Sequence, residues 1–235
     1  MYTYSCFDGT YRAWGKIIAA KGIAVVMVDF RNAATPSSVS EVAPFPAGLN
    51  DCISGLSWTH ANSAALCIDR IVVAGESGGG NLALATAIRL RRESEQHLIA
   101  GVYALCPFIG GRYPDPAFPS TLEESSLLGY QHARFGYSAI AYGADHSDPL
   151  AWPAHAAPHD VAGLPPVVIR VNECDPLRDE GAALHATLAA AGVDARLRVV
   201  AGASHAAELM LAACPRYGRE AVADMAAFCR ELSAA

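Results

Sequence analysis

Gly75-Glu76-Ser77-Gly78-Gly79 interrupts an apolar run in the stretch VVAGESGGGNLALA, residues 72–85. The pattern Gly75-x-Ser77-x-Gly79 is a nucleophile-elbow signature: a tight turn from strand to helix strains the serine and lifts its hydroxyl clear of the backbone. The helix start behind it offers unpaired N–H groups and a positive dipole end to developing negative charge. Five residues alone say little in a chain with 20 glycines, and an ordinary glycine turn is the alternative. The surroundings decide in favour of chemistry, with an apolar run before Ser77, a helical pattern after it, and an acid and a histidine downstream.

A serine hydroxyl needs a neighbouring base, and imidazole oriented by a buried carboxylate is the usual one, in the order serine, acid, histidine on sheets of this kind. The run PPVVIRVNE (165–173) delivers Glu173, Asp175, Asp179 and Glu180. Asp175 is placed best, just past the strand end and held by Pro176. Glu173 ranks second, and Asp179 and Glu180 are expected to decorate a first helical turn, where the dipole favours acids. Of eight histidines, His205 follows the last strand in ASHAAE. His185 sits mid-helix, and His132, His146, His155 and His159 fall in an irregular segment where they could line a pocket. Metal and phosphate chemistry fare worse. GESGGGN lacks the Lys-Ser/Thr of a phosphate loop, and no H-x-x-H spacing occurs. No metal and no cofactor is expected.

These side chains need a scaffold that brings strand ends to one rim. Five runs read as buried parallel strands: 22–30, 70–76, 100–108, 165–173 and 195–202. Helical patterns at 11–22, 47–65, 79–94, 178–192 and 218–232 alternate with them, predicting an open α/β sheet with helices on both faces. Across 109–164 the alternation fails, and this Pro-, Gly-, His- and Tyr-rich segment is expected to lie over one end of the sheet as an insertion. Its Tyr113, Phe118, Tyr130, Phe135 and Trp152 are candidates for an apolar substrate wall, ordinary packing being the alternative for each. Residues 1–235 read as a single domain.

With 52% apolar and 17% charged residues in 235, the composition excludes disorder. A net charge of −6 without a basic cluster argues against nucleic acid. No apolar run approaches a membrane span, and the N-terminus lacks a signal-peptide pattern, so a cytoplasmic protein is expected. Cysteines 6, 52, 67, 106, 174, 214 and 229 are scattered and odd in number, and are read as reduced packing residues. Cys174, beside Asp175, is expected to be buried filler.

VVMVDFRNA, PFPAGLNDC, GESGGGNLALAT, DPLAWP and VNECDPLRDEG together resemble the hormone-sensitive-lipase branch of α/β-hydrolase esterases over nearly the whole chain. Within it they look most like a bacterial carboxylesterase that opens a macrolide lactone. The resemblance implies an α/β-hydrolase fold and a serine carboxylesterase, with Ser77 as nucleophile, His205 as base and acid, Asp175 as orienting carboxylate and the Gly78 N–H as an oxyanion donor. The expected partner is a small-molecule ester, without nucleic acid or membrane. Other acyl chemistry on the same triad, amide or lactone hydrolysis or acyl transfer, stays open.

Two departures from that family stand out. Ala206 replaces its usual glycine after the histidine. The family's His-Gly-Gly-Gly loop, with two further oxyanion donors, would fall just before Met1, so the first strands and the N-terminal cap are expected to be missing. A truncated remnant, weak or silent in catalysis and dimerising through an open sheet edge, is the rival expectation.

Overall fold

The computed structural model describes residues 9–123 and 132–234. Four strands form one parallel sheet in the order β1 (Val72–Glu76), β2 (Gly101–Leu105), β3 (Val167–Cys174), β4 (Ala195–Ser204). All four correspond to predicted runs. Parallel neighbours need long crossovers, and helices supply them. α3 (Gly78–Arg92) joins β1 to β2, and α6 (Arg178–Ala190) joins β3 to β4. α1 (Gly9–Ala19) and α2 (Ala47–Ala61) precede the sheet, and α7 (Pro215–Ala234) closes the chain.

Both faces of the sheet are covered, as the two-sided apolar strands require. On β2, Val102 and Ala104 pack with Leu84 and Ile88 of α3 and Leu184 of α6. Tyr103 and Leu105, pointing the other way, pack with Trp14 and Ile18 of α1 and with Val222, Met225 and Phe228 of α7. The alternation along one strand thus assigns the helices to two layers.

Residues 22–30, read as a strand, join no ladder with another described segment. Their alternation is still strand-like, with Val25 and Met27 against Gly15 of α1 and Val28 and Phe30 against Gly55 and Gly48 of α2. A ladder needs a neighbour at hydrogen-bonding distance. Instead a cleft of about 610 Å³ separates this segment from β1. The apolar pattern was legible, but the pairing depends on a partner that the described residues do not supply. Beyond it, the Arg31 guanidinium and N–H bond the Asp51 carboxylate at 2.8–3.0 Å, fixing the chain against α2.

Residues 109–164 contribute no strand among the described residues, only α4 (His132–Tyr142), the one-turn α5 (Pro158–Val161) and short 3₁₀ turns. Phe108, Tyr113, Phe135, Tyr142 and Trp152 form a separate aromatic cluster there. Tyr130 lies outside the described residues.

Candidate active site

Ser77 follows the last residue of β1 and precedes the first of α3. Its φ is 55° with ψ −115°, a conformation L-residues seldom hold without help. Three backbone bonds hold it: Ser77 N–H to Leu105 O at 2.9 Å, and Phe108 N–H and Asn81 N–H to Ser77 O, each at 3.0 Å. The turn is tight enough that a Cβ on Gly75 would lie 2.2 Å from the Gly79 backbone. Gly79 has open space where its own Cβ would be. Of the two glycines in the elbow pattern, only Gly75 is sterically required.

Asp175 and His205 arrive at the same rim from the ends of β3 and β4. His205 Nδ1 is 2.8 Å from Asp175 Oδ2, and His205 Nε2 is 3.0 Å from Ser77 Oγ. Asp175 Oδ1 accepts the Leu177 N–H at 2.9 Å, so both carboxylate oxygens are engaged. All three side chains are buried. In the neutral ring, a proton on Nδ1 shared with the Asp175 carboxylate leaves Nε2 to accept from the serine hydroxyl.

Burial by itself would lower the His205 pKa. The Asp175 carboxylate outweighs it, with Glu76 and Glu208 adding to the effect, and the group is lifted to about 9. Glu76 is unusually close, its Oε1 3.5 Å from His205 Nε2 while its Oε2 accepts from the Tyr11 hydroxyl at 2.8 Å. Cys106 Sγ lies between two acids, 3.6 Å from Glu76 Oε1 and 3.5 Å from Glu208 Oε1. Glu208, held by Asn172 Nδ2 at 3.0 Å, has its carboxyl pushed up by burial. Ligand atoms of Glu76, Cys106 and His205 all lie within 4.8 Å of one another. Motif spacing could not have found this set, because its members come from three strand ends distant in sequence.

The competing acids separate cleanly. Glu173 is exposed and accepts the Gly202 N–H at 2.7 Å. Asp179 accepts the Ser120 N–H at 2.7 Å and pairs with Arg178. Glu180 does not decorate the helix surface as expected. It is buried, accepting the Ile109 N–H at 2.7 Å and the Tyr113 hydroxyl at 2.8–2.9 Å, because residues 109–113 fold back over the start of α6. Burial drives its pKa up to about 8 against the pull of those bonds. Its place in the first helical turn was visible in the sequence, but the chain that covers it was not.

The remaining candidates stand apart from Ser77. His155 Nε2 meets the Gly110 carbonyl at 2.7 Å and its ring packs on His146. His185 Nε2 is 3.3 Å from Ala195 O, and His159 is exposed. The His132 side chain and Cys6 lie outside the described residues. Cys174 is not buried filler but exposed, as is Cys67, since β3 runs past the layers that cover its middle. Phe135 stands edge-on to His205 at 5.4 Å, and Tyr113 stacks on Phe108 at 4.7 Å. The aromatics therefore pack on one another and on the histidine, while the large cleft lies on the β1 side and reaches Glu76. Ala206 occupies the left-handed region at φ 56°, which explains a family preference for glycine there.

A model of the alpha/beta hydrolase fold matches residues 6–209, and the chain belongs to that family. Carboxylesterase NlhH of Mycobacterium tuberculosis is 34% identical over 179 residues, covering 74% of this chain and 53% of that protein. An arylesterase of Saccharolobus solfataricus is 30% identical over 220 residues, covering 88% of this chain and 64% of the relative. The chain thus spans from about half to just under two thirds of these relatives' length. Among solved structures, esterase Est22 superposes with a TM-score of 0.89 at 51% identity, over 97% of this chain and 68% of Est22. Brefeldin A esterase, described as a bacterial homologue of human hormone sensitive lipase, gives 0.87 at 38% identity, over 98% of this chain and 67% of that one. The resemblance read from the motifs holds, with Est22 more similar in sequence than the brefeldin A enzyme. No helix among the described residues is long and apolar enough to cross a membrane.

Proposed function

We propose that the chain carries the catalytic centre of a serine carboxylesterase acting on small carboxylic esters. The observation behind this reading is a single imidazole, His205, bridging the Ser77 hydroxyl at 3.0 Å and the Asp175 carboxylate at 2.8 Å. As Ser77 Oγ attacks the ester carbonyl, His205 Nε2 takes its proton, and the Asp175 carboxylate stabilises the imidazolium. The negative oxygen that develops lies at the start of α3, where first-turn N–H groups, Gly78 foremost, have no intrahelical acceptor. His205 then returns the proton to the departing alcohol. Water attacks the acyl-enzyme with the same nitrogen as base, releasing the acid. In this reading Gly75, Glu76 and Gly79 shape the elbow, and Phe135 caps the rim beside His205.

Esterases among the similar proteins support the reading, Est22 at 51% identity and carboxylesterase NlhH at 34%. Turnover of a short p-nitrophenyl ester together with fluorophosphonate labelling tests it. Both are expected in the parent chain and neither in Ser77→Ala. A folded sample whose Ser77 resists the fluorophosphonate would favour the silent binding-protein reading instead.

A further inference from the structure

Behind the serine, the molecule concentrates more negative charge than its histidine needs. Asp175, Glu76 and Glu208 are all buried around His205, and the thiol of Cys106 sits among them. Asp175 alone satisfies the requirements of the proposed chemistry. Cys106 plays no part in it, and Glu76 Oε1 stands 3.5 Å from the very nitrogen that would accept the Ser77 proton.

The spacing of these groups matches a coordination polyhedron. A tetrahedral zinc-type ion, with bonds of about 2.0–2.1 Å to oxygen and nitrogen and about 2.3 Å to sulfur, sets an oxygen–nitrogen edge of about 3.3 Å and an oxygen–sulfur edge of about 3.5 Å. Here Glu76 Oε1 is 3.5 Å from His205 Nε2 and 3.6 Å from Cys106 Sγ. The third edge, sulfur to nitrogen, lies within 4.8 Å.

Two further features fit. A metal-bound imidazole ordinarily gives its other N–H to a carboxylate, which fixes the tautomer and aims the lone pair, and Asp175 is so placed at 2.8 Å. An ion also needs a way in. The cleft beside β1 is lined by Tyr11, Gly75, Glu76 and Leu105, so one carboxylate spans the distance from the cleft to the imidazole.

We propose that Glu76, Cys106 and His205 form a buried site for a thiophilic divalent transition-metal ion of the zinc class, whose binding withdraws the His205 Nε2 lone pair from Ser77. The bonds formed are metal–oxygen, metal–sulfur and metal–nitrogen. The Cys106 S–H bond breaks heterolytically, its proton leaves to solvent, and any proton on Nε2 is released with it. No electron changes hands. The ion acts as a reversible brake on the serine rather than a participant in turnover.

Cobalt(II) added to the purified chain tests the site independently of any esterase activity. Saturation near one equivalent is expected, with a thiolate-to-cobalt charge-transfer band that zinc(II) abolishes by displacement. Cys106→Ser should remove the band, and Cys106→Ser and Glu76→Gln should each weaken binding at least about 10-fold. Cys67→Ser and Cys174→Ser, at exposed thiols, should leave the band intact. Saturating zinc should slow fluorophosphonate labelling of Ser77, and chelation should restore it. A band that survives in folded Cys106→Ser, or its absence in the parent chain, overturns the proposal. Where Cys106→Ser does not fold, unchanged cobalt affinity in Glu76→Gln overturns it equally. Labelling indifferent to saturating zinc removes His205 from the ligand set and likewise overturns it. A chain that binds cobalt in this way but never labels at Ser77 would retire the esterase reading and leave the metal site standing.

Discussion

Glu76 Oε1 lies 3.5 Å from His205 Nε2, the same nitrogen that stands 3.0 Å from the hydroxyl of the next residue, Ser77. Together with Asp175 and Glu208, Glu76 outweighs the effect of burial and holds His205 near 9. A protonated imidazole cannot accept the Ser77 proton. The rate of Ser77 labelling should therefore rise with pH along a limb centred near 9. Glu76→Gln removes one negative charge and should move that limb to lower pH. A pH profile of fluorophosphonate labelling in both proteins checks this, and superimposable limbs would dismiss the role given to Glu76.

The same raised pKa bears on stability. His205 binds its proton more tightly folded than unfolded, so its contribution is complete below its ordinary value of 6.5 and is lost as pH rises through about 9. Glu180 behaves likewise, with a folded pKa of about 8 against an ordinary 4.5: its contribution is complete below 4.5 and lost as pH rises through 8. Glu180→Gln cannot ionise and can still accept the Ile109 N–H. Urea midpoints followed from about pH 5 to about pH 9 should fall less steeply in this variant, by on the order of a few kcal/mol across the range. Parallel curves would show that Glu180 does not titrate in the folded chain.

The two elbow glycines should respond oppositely to alanine. Gly75→Ala places a methyl 2.2 Å from the Gly79 backbone, which cannot yield without opening the turn. A destabilisation of about 3 kcal/mol or more, or failure to fold, is expected. Gly79→Ala meets nothing within 4 Å and lies inside α3. It should be neutral or stabilising by up to about 1 kcal/mol. Thermal denaturation of the two variants side by side provides the comparison.

Asp175→Asn should lower the rate of Ser77 acylation by about 10³–10⁴-fold, because an amide in that place favours the wrong imidazole tautomer. Glu173→Gln, at an exposed carboxylate bonded to Gly202, should change it by less than about 3-fold. Initial rates on one p-nitrophenyl ester distinguish the acids, and equal losses would displace Asp175 from its role.

Much of this architecture was readable because parallel strands covered on both faces write themselves as apolar runs, and β1 to β4 each follow such a run. Ser77, Asp175 and His205 were readable because each sits one step beyond a strand end. What escaped has a common physical origin in contacts between segments far apart in sequence. Glu180 looked like a helix-surface acid until residues 109–113 were seen to cover it. Cys106 looked like filler because nothing nearby in sequence announces Glu76 and Glu208 on either side of it. Residues 22–30 carried the right pattern, yet strandedness belongs to a pair of segments, and no partner ladder exists for them among the described residues.

Among the described residues, β2 and β3 each exchange hydrogen bonds with neighbours on two sides, whereas β1 does so with β2 alone. Its other side borders the 610 Å³ cleft. A strand paired on one side among the described residues is expected to take up deuterium sooner than β2 and β3, and it is the strand that leads into Ser77.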